Sequence, residues 1–332
     1  MRPVIAAALA LLLLLFLMPM LLLGDRPLLS PEDETGGLPI DRPVVTPSSQ
    51  LDRQVQLKLY QGGQISTVTM DQYLWSVVAA EMPASFELEA LKAQAVAART
   101  YAWDKLSRET AKHPDADLCT DSTCCQAYID HDAASANWGS GAQLYQEKIA
   151  QAVAATDGQV ILYEGAPIQA VFFSSAPGKT ADAVEVWGNS IPYLTSVDSP
   201  EGEEVPNYHS TVTFPLEEFR SIFLAQYPQS DLSGDPSGWF QNLSHTSNGG
   251  VAAVEVGGVS ISGTALRALF QLRSTYFTPS AGAEGVTFQV TGYGHGVGMS
   301  QYGANSLAKE GKTYQEILQW YYTGVTISPY PQ

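Results

Sequence analysis

Residues 292–304 read GYGHGVGMSQYGA, and this stretch places four glycines at every second position around one histidine, His295. Glycine is used where the backbone needs positive φ angles or a close approach to another group, and it loses the most conformational entropy on folding. The following Ser300, Gln301 and Tyr302 add neutral hydrogen-bonding groups that suit a polar, uncharged ligand. A lone Gly-His-Gly would indicate a loop with one structural histidine. The length of this run favours a tight loop at a binding site.

The composition is typical of a globular protein and disfavours the binding of polyanions. The chain has 332 residues, of which 45% are hydrophobic and 15% are charged. Seventeen Lys and Arg stand against 34 Asp and Glu, so the net charge is −17. This charge argues against nucleic-acid binding, which needs a basic surface, and disfavours strong attraction to anionic lipid headgroups. A locally neutral ligand is favoured.

The amino-terminal residues 1–24 predict a single transmembrane signal-anchor. Residues 4–23 carry no charge and are nearly all apolar, which is long enough to span a bilayer core. Arg2 before them and Asp25 after them place the terminus in the cytoplasm and the remainder outside. A cleaved signal peptide is the alternative, although its apolar core is usually shorter. Residues 25–50, rich in Pro, Gly and polar residues, predict a flexible linker to a folded domain over 51–328.

Periodicity within 51–328 indicates an α+β fold of mixed helices and mainly antiparallel strands. A β-hairpin is predicted over 54–69, and Asp71 is the predicted N-cap of a helix that ends at Glu81 before Pro83. Strands at 160–163 and 169–174 are expected to pair across Glu164-Gly165. Further helices are predicted over 87–107, 142–156, 214–227, 263–270 and 314–321, and further strands over 251–256, 259–262 and 286–291.

Glu81 is the carboxylate that the local sequence singles out. Apolar neighbours on both sides predict partial burial, and a helix carboxyl end has a negative potential. Both effects disfavour the ionised form and raise the pKa. A carboxylic acid that stays protonated near neutral pH can act as a general acid in glycosidic cleavage, whereas most helix glutamates are simply solvated.

Several motifs in this order and spacing resemble those of the stage II sporulation protein D family. They are YLWSVVAAEMP at 73–83, EALKAQAVAARTY at 89–101, VWG at 186–188, PYL at 192–194, SVDSP at 196–200, SG at 262–263, LRS at 272–274 and the glycine-rich run. The resemblance covers roughly residues 51–328.

The resemblance implies a lytic transglycosylase anchored in the cell membrane, single-pass, with its catalytic domain outside the cytoplasm. The family acts on septal peptidoglycan during engulfment in sporulation, together with stage II sporulation proteins P and M. It prefers glycan strands stripped of stem peptides, and its catalytic acid maps onto Glu81. The residues then expected to line a glycan-binding cleft are Tyr293, His295, Ser300, Gln301, Tyr302, Ser174, Ser175 and Tyr193.

Phe173 departs from the family pattern. Many relatives carry a histidine followed by Ser and Thr or Ser, where this chain has Phe173-Ser174-Ser175. Phenylalanine has no hydrogen-bonding group, so the role of that histidine is absent here or is supplied by another residue.

Three cysteines, Cys119, Cys124 and Cys125, lie close together in the sequence. His113, Cys119 and Cys125 are spaced as H-x5-C-x5-C, and some members of the family carry zinc on such a set. Thiolate and imidazole suit zinc, and the metal would brace a loop near the cleft, although three protein ligands also fit a catalytic zinc. A disulfide from Cys119 to Cys124 or Cys125 is the alternative, which an extracytoplasmic location permits.

Two other functions compete with the transglycosylase. Relatives of the domain include an amidase enhancer, which would bind the wall without cleaving it, and Glu81 argues for catalysis. A zinc amidase acting on the stem peptide would need a compact His and Glu ligand set. The five histidines, at 113, 131, 209, 245 and 295, are too scattered to indicate one.

Overall fold

Helices are mixed with mainly antiparallel strands along the chain, which confirms the predicted α+β class. The computed structural model describes residues 50–107, 113 and 115–331. The helices are α1 (Gln50–Gln54), α2 (Met70–Glu81), α3 (Leu88–Ser107), α4 (His131–Trp138), α5 (Ala142–Ala155), α6 (Ala183–Trp187), α7 (Leu216–Gln226), α8 (Gly263–Leu269), α9 (Gln301–Lys309) and α10 (Tyr314–Tyr321). The strands are β1 (Gln56–Gln61), β2 (Gln64–Thr69), β3 (Leu118–Cys119), β4 (Gln159–Tyr163), β5 (Ala166–Pro167), β6 (Phe172–Phe173), β7 (His209–Phe214), β8 (Phe240–His245), β9 (Val251–Val256), β10 (Val259–Ser262), β11 (Phe277–Gly282), β12 (Gly285–Thr291), β13 (Met299–Ser300) and β14 (Thr326–Pro329).

The strands form small sheets whose pairings are mainly antiparallel, as predicted. Their orders are β2-β1-β3, β10-β9-β8, β11-β12-β7, β13-β6 and β14-β4-β5. The parallel pairs among them are β1 with β3 and β13 with β6. The predicted hairpin over 54–69 is confirmed, and its turn residues Gly62 and Gly63 both have positive φ.

Helix α2 ends at Glu81 as predicted, but it begins at Met70, two residues earlier than an Asp71 cap would allow. Thr69 is the N-cap, and its backbone N–H donates to the Gln72 side chain at 3.1 Å. The Thr-x-x-Gln spacing supplies a reciprocal cap that Asp71 cannot match from inside the first turn. At the other end Met82 is extended, because the following Pro83 disfavours helical geometry there.

The predicted pairing of residues 169–174 across Glu164-Gly165 is wrong. Strand β4 pairs with β5 instead, through Tyr163 with Ala166 and Leu162 with Pro167. Only Phe172 and Phe173 of the predicted strand are extended in a ladder, and they pair in parallel with Met299 and Ser300. The glycine-rich loop brings this distant partner into place, which local periodicity cannot indicate.

Two hydrophobic cores divide the described residues into a main body and a lobe. The main core packs α2, α3, α5, α9 and α10, and the fully buried Ala95, Ala98 and Ala102 let neighbours approach α3 closely. The lobe, residues 209–291, has its own core of stacked rings, including Phe219 and Phe270 at 4.8 Å. The chain leaves the main body, builds the lobe, and returns through the glycine-rich loop.

The first helix is tied to the main body by a buried ion pair. The Arg99 guanidinium donates to both carboxylate oxygens of Asp52, at 2.7 and 2.9 Å, and both side chains are fully buried. Tyr330 also donates to Asp52 at 2.5 Å, so the network joins α1, α3 and the carboxyl-terminal segment. Every Arg99 nitrogen has an acceptor, including the carbonyls of Val153 and Gln159.

The alternate glycines of the loop all adopt positive φ, as their spacing predicts. The φ values are 76°, 121°, 84° and 79° for Gly292, Gly294, Gly296 and Gly298. A Cβ added at Gly298 would lie 2.2 Å from the carbonyl oxygen of Val171. Glycine is therefore needed at Gly298 both for its φ and for the close approach of two backbones.

We expect Gly298→Ala to lower the free energy of unfolding by about 2–3 kcal/mol, since it combines a left-handed conformation with a backbone overlap. Gly178→Ala is the matched control, because Gly178 has φ of 89° but nothing within 4 Å of an added Cβ. The control should cost only about 1–2 kcal/mol. Equal losses for the two variants in chemical denaturation would show that the overlap with Val171 is unimportant.

Among the described helices, none combines the length and the apolar character needed to cross a bilayer. The predicted anchor at 1–24 and the predicted linker at 25–50, except Gln50, lie outside the described residues.

Candidate active site

A cleft of about 580 Å³ lies where α2, the loop 122–127, the segment 170–174 and the glycine-rich loop meet. Helix α8 of the lobe contributes Arg267 to its wall. Its lining mixes aromatic rings with amide, hydroxyl and backbone groups, and Glu81 is the carboxylate among the described lining residues. Such a lining suits a polar ligand with apolar faces, as a sugar has.

Glu81 is half-buried at the carboxyl end of α2, with its carboxylate in the cleft. Its Oε1 accepts the backbone N–H of Ala127 at 2.8 Å, and its Oε2 accepts from the Gln301 amide at 3.5 Å. Burial raises the pKa of Glu81, and these two donors oppose the rise without cancelling it. The carboxyl group is thus fixed in place and biased toward the protonated form.

Gln301 connects Glu81 to the main core. The Gln301 side-chain amide also donates to the Gln94 carbonyl oxygen at 3.4 Å, and both glutamines are buried. The Gln94 amide nitrogen is buried and has no hydrogen-bond partner among the residues that the structure describes. Gln301, predicted as a ligand contact, therefore lines the cleft and also positions the carboxylate.

His295 lines the cleft, but both ring nitrogens are engaged within the protein. Nδ1 accepts the Val297 N–H at 3.1 Å, so Nε2 carries the proton and donates to the Phe172 carbonyl at 3.0 Å. Burial, helped by the charge of Arg267, lowers the pKa of His295 to about 4. The ring is neutral near pH 7, and it shapes the loop instead of offering a free nitrogen to a ligand.

Phe173, which departs from the motif implied by the resemblance, lies beside the glycine-rich loop. It is buried, and its ring lies 5.6 Å from that of His295. On its other side, His295 contacts the exposed Trp187 at 5.7 Å. The Phe173 side chain thus supports the glycine-rich loop through packing alone.

Of the other predicted ligand contacts, Tyr293 and Ser174 lie in the cleft and four residues do not. Tyr293 is 46% exposed, so its ring is available to a ligand. The residues that the structure places elsewhere are Ser300, Ser175, Tyr302 and Tyr193.

Each of these four has a structural position. Ser300 is fully buried, caps α9 through the Gly303 N–H, and donates to the buried Glu201. Ser175 is buried, and its hydroxyl has no hydrogen-bond partner within the described part of the chain. The Tyr302 ring packs edge-on against Phe86 at 4.9 Å, and the Tyr193 hydroxyl accepts the Gln169 N–H.

The structure adds Arg267, Gln126 and Tyr101 to the cleft lining. No sequence signal marked Arg267, because it belongs to the lobe and only the tertiary fold brings it to the main body. Tyr101 and Gln126 lie near the ends of motifs noted in the sequence, but nothing in their local sequence indicated that they line a cleft.

His113 and all three cysteines form one cluster, and their ligand atoms lie within 4.8 Å of one another. The His113 Nε2 is 3.3 Å from the Cys124 sulfur, and the sulfurs of Cys124 and Cys125 are 3.9 Å apart. Zinc bound tetrahedrally at about 2.3 Å from sulfur and about 2.0 Å from nitrogen spaces its ligands roughly 3.5–3.8 Å apart. The four residues therefore fit such an ion, and Cys124 joins the predicted set of His113, Cys119 and Cys125.

The cysteines are free thiols in the structure, so neither disulfide alternative is formed there. Burial raises the pKa of Cys119 to about 12, which means that a thiolate there needs a compensating cation. The cluster adjoins the cleft: Cys125 lines it, and Ala127, two residues further on, holds Glu81. A group that holds the four residues of the cluster in place therefore also helps to position the Ala127 N–H that donates to Glu81.

Comparison with known proteins gives consistent matches. The family model described as "SpoIID: Stage II sporulation protein" matches residues 60–163. Stage II sporulation protein D of Bacillus subtilis (strain 168) is 37% identical over 265 residues, covering 80% of this chain and 76% of that protein. The protein of the same name from Bacillus amyloliquefaciens is 38% identical over 265 residues, covering 80% and 75%. The amidase enhancer of Bacillus subtilis (strain 168) is 29% identical over 307 residues, covering 77% of this chain and 40% of that protein.

Proposed function

The chain belongs to the stage II sporulation protein D family, and on that premise we propose that it is a lytic transglycosylase. Its substrate is the glycosidic bond between N-acetylmuramic acid (MurNAc) and N-acetylglucosamine (GlcNAc) in peptidoglycan. The observation that carries the proposal is Glu81, a half-buried carboxyl with a raised pKa and the carboxylate that lines the cleft among the described residues. A sugar polymer fits a cleft of this volume and lining.

A single carboxyl group can complete this reaction because the substrate supplies its own nucleophile. Protonated Glu81 transfers its proton to the leaving GlcNAc oxygen as the glycosidic bond breaks. The resulting carboxylate then takes the proton of the MurNAc C6 hydroxyl, whose oxygen bonds to C1 and closes a 1,6-anhydro ring. Hydrolytic glycosidases use two acidic side chains, one of them to activate water or to attack the sugar. The lining described here supports the anhydro route.

The groups around Glu81 hold it ready for both steps. Ala127 and Gln301 fix the carboxylate by hydrogen bonds, so its direction is set before the substrate binds. Tyr293 presents an exposed ring on which a sugar face can lie. His295 holds the glycine-rich loop in shape, with its proton on Nε2 directed to Phe172.

The test is the product formed by the purified full-length chain alone on glycan strands freed of stem peptides. The proposal predicts strands that end in 1,6-anhydro-MurNAc, identified by mass spectrometry. An amidase enhancer, the function named for a more distant relative, would bind the strands and release nothing on its own. Binding without cleavage would therefore contradict the transglycosylase and favour the enhancer.

The family context extends the proposal to place and partners. We propose that the chain works in sporulation at the cell membrane, with its catalytic domain on the outer side, alongside stage II sporulation proteins P and M. The uncharged amino-terminal segment supports this placement. One test is whether the chain copurifies with proteins P and M from membranes of sporulating cells. A second is whether it stays in the membrane fraction after a wash at high salt.

We further propose that the cluster of His113, Cys119, Cys124 and Cys125 binds zinc. When bound, the ion would supply a rigid crosslink, because four protein ligands complete a tetrahedral structural site. The loop that follows the cluster connects it to the cleft, because the Ala127 N–H in this loop donates to Glu81. The metal is proposed to brace the cleft.

We expect about one zinc per purified wild-type chain, and less than about a fifth of that in Cys119→Ser, because a site with one thiolate removed loses most of its affinity. His113→Gln should also lose metal, whereas His245→Gln should not, since His245 is exposed outside the cluster. Metal analysis gives the content, and melting with and without a chelator gives the stabilisation. Metal-free wild-type protein with a mass about 2 Da below that of the reduced chain would indicate a disulfide instead.

A further inference from the structure

Glu201 is a buried carboxylate that takes part in neither of the proposed reaction steps. It is only 4% exposed and lies outside the cleft lining. Within the described part of the chain, no lysine, arginine or histidine forms an ion pair with it. A buried charge without a counter-ion is unfavourable unless hydrogen bonds compensate for the loss of water. The groups that donate to Glu201 therefore show which parts of the chain it holds.

Three groups from different segments donate to the Glu201 carboxylate. Its Oε1 accepts the backbone N–H of Ala176 at 2.6 Å and the hydroxyl of Ser300, and its Oε2 accepts the hydroxyl of Ser199 at 2.5 Å. Because Ser199 uses its proton for this bond, the Tyr321 hydroxyl of α10 donates to the Ser199 oxygen at 2.7 Å. Hydrogen bonds to a carboxylate are roughly twice as strong as those between neutral groups. Glu201 thus joins several segments of the main body at one point.

The Ser300 hydroxyl ties this carboxylate to the start of α9. Ser300 is the N-cap of α9, and Gln301 is the first residue of that helix. Glu201 joins Ser300 to Ala176, so the amino end of α9 is held to the chain that leaves the cleft wall. A negative charge at the amino end of a helix is favourable as well. The Gln301 side-chain amide, which donates to Glu81 at 3.5 Å, therefore extends from a backbone position that Glu201 sets.

Gly303, in the first turn of α9, is required by the same cluster. A Cβ added at this glycine would overlap the hydroxyl of Tyr321, the carboxylate of Glu201 and the hydroxyl of Ser199. The backbone of Gly303 is helical, so close packing explains the choice of glycine here. The absence of a side chain lets α9 lie directly against the buried carboxylate, and the position of the helix is closely defined by it.

We infer that Glu201 is a positioning residue for Glu81: its carboxylate fixes the start of α9, and the Gln301 amide then holds the Glu81 carboxyl in its direction. The inference rests on the proposed function only for the reaction that Glu81 performs. The contacts from Glu201 through Gln301 to Glu81 are made without a glycan, so they are testable whether or not the chain cleaves one.

The test measures the pKa of Glu81 in the full-length chain without substrate. Carbon-13 NMR of chains labelled at the glutamate Cδ follows each carboxyl through a pH titration, and Glu81→Gln identifies the Glu81 signal by removing it. Glu201→Leu should raise the pKa of Glu81, as Gln301→Leu does, because both take the Gln301 donor away from the ionised carboxylate. In chains that already carry Gln301→Leu, adding Glu201→Leu should cause no further shift.

Glu201→Gln is the conservative variant and should keep the wild-type pKa of Glu81. Its carbonyl oxygen can still accept from Ala176 and Ser300, and its amide can donate to the Ser199 hydroxyl, which accepts equally well. The sign of the shift separates position from charge. Loss of a nearby negative charge would lower the pKa of Glu81, so a fall in both Glu201 variants would overturn the inference.

Glycan cleavage gives a second readout. At a pH low enough for Glu81 to be protonated in every variant, Glu201→Leu should lower kcat roughly tenfold to hundredfold, because the acid is no longer held in its direction. KM should stay within about threefold, since Glu201 lies outside the cleft lining. Failure of the wild-type chain to cleave glycan would contradict the proposed function, and the pKa comparison would still decide the inference.

Asp52→Asn is the matched control, because it weakens another fully buried carboxylate network of the main body outside the cleft lining. It should lower stability and leave the pKa of Glu81 unchanged. An equal shift in this control would mean that general loosening moves the pKa, and would overturn the inference.

Ser300→Ala decides the question if Glu201→Leu fails to fold. This variant keeps Glu201 and removes its link to α9, so it should also raise the pKa of Glu81. An unchanged pKa of Glu81 in folded Glu201→Leu, or in Ser300→Ala, overturns the inference.

Discussion

We expect Glu81→Gln to reduce the rate of glycan cleavage by about 10³-fold or more, because the amide can neither donate the proton to the leaving oxygen nor take one from the C6 hydroxyl. The glutamine side chain nearly matches glutamate in shape, and its carbonyl oxygen can still accept the Ala127 N–H that now holds Oε1. Folding and glycan affinity should therefore stay close to wild type. The rate is measured from single-turnover cleavage of peptide-free strands.

The matched control is Glu147→Gln, which removes one negative charge from an exposed position outside the cleft. It should leave the rate unchanged. Similar rates for wild type and Glu81→Gln, with both variants folded, would remove Glu81 from the mechanism.

The pH dependence of the same reaction follows from the raised pKa of Glu81. A general acid must be protonated, so the rate falls as pH rises through the pKa of Glu81. Because burial raises this pKa, the fall should occur above the ordinary glutamate value of about 4.3. Gln301→Leu removes a donor that favours the ionised form and should move the fall to still higher pH. A shift to lower pH would contradict this account of the site.

The second large effect concerns stability. Arg99→Met should lower the free energy of unfolding by about 3–5 kcal/mol, because it leaves the fully buried carboxylate of Asp52 without its counter-charge. Chemical denaturation followed by circular dichroism measures the loss. The Asp52 N–H of α1 donates to the Asp157 carboxylate, and the Asp52 carboxylate accepts the Gly158 N–H. Loss of Arg99 disturbs these contacts, so the α1 segment should become sensitive to proteases.

A second replacement separates lost pairing from lost packing. Adding Asp52→Leu to Arg99→Met should restore part of the stability, since it removes the unpaired charge. Arg53→Gln breaks an exposed ion pair with Asp71 and should cost less than about 1 kcal/mol. Additive losses in the Asp52 and Arg99 cycle would mean that the two charges do not stabilise each other.

Long elements with clear ends were predictable from the sequence. Helices α2 and α3 follow from their apolar spacing and from Pro83 between them, and the hairpin of β1 and β2 follows from Gly62-Gly63. The helices that were missed are α1, α4, α6 and α9, and the strands are β3, β5, β7, β8, β11, β13 and β14. They are short, and their stability comes from neighbours distant in sequence, as when β11 pairs with β12 in the lobe.

The candidate site shows the same limit. Glu81 was predictable because burial, helix end and motif coincide at one residue. Ser300 was predicted as a ligand contact, yet a serine directly before the α9 residues 301–309 is also an N-cap signal, and the structure uses it so. Arg267 and Cys124 were missed for different reasons. Arg267 reaches the cleft through the fold of the lobe, and Cys124 interrupts the even spacing of the other ligands.

The most direct test of the central claim is to run wild type and Glu81→Gln on peptide-free glycan strands in ¹⁸O-labelled water and weigh the products. The account predicts 1,6-anhydro-MurNAc ends without ¹⁸O from the wild-type chain and intact strands from Glu81→Gln, because the C6 hydroxyl closes the ring and no water enters. Reducing ends that carry ¹⁸O would identify a hydrolase. Anhydro ends formed by Glu81→Gln at the wild-type rate would show that another group is the acid.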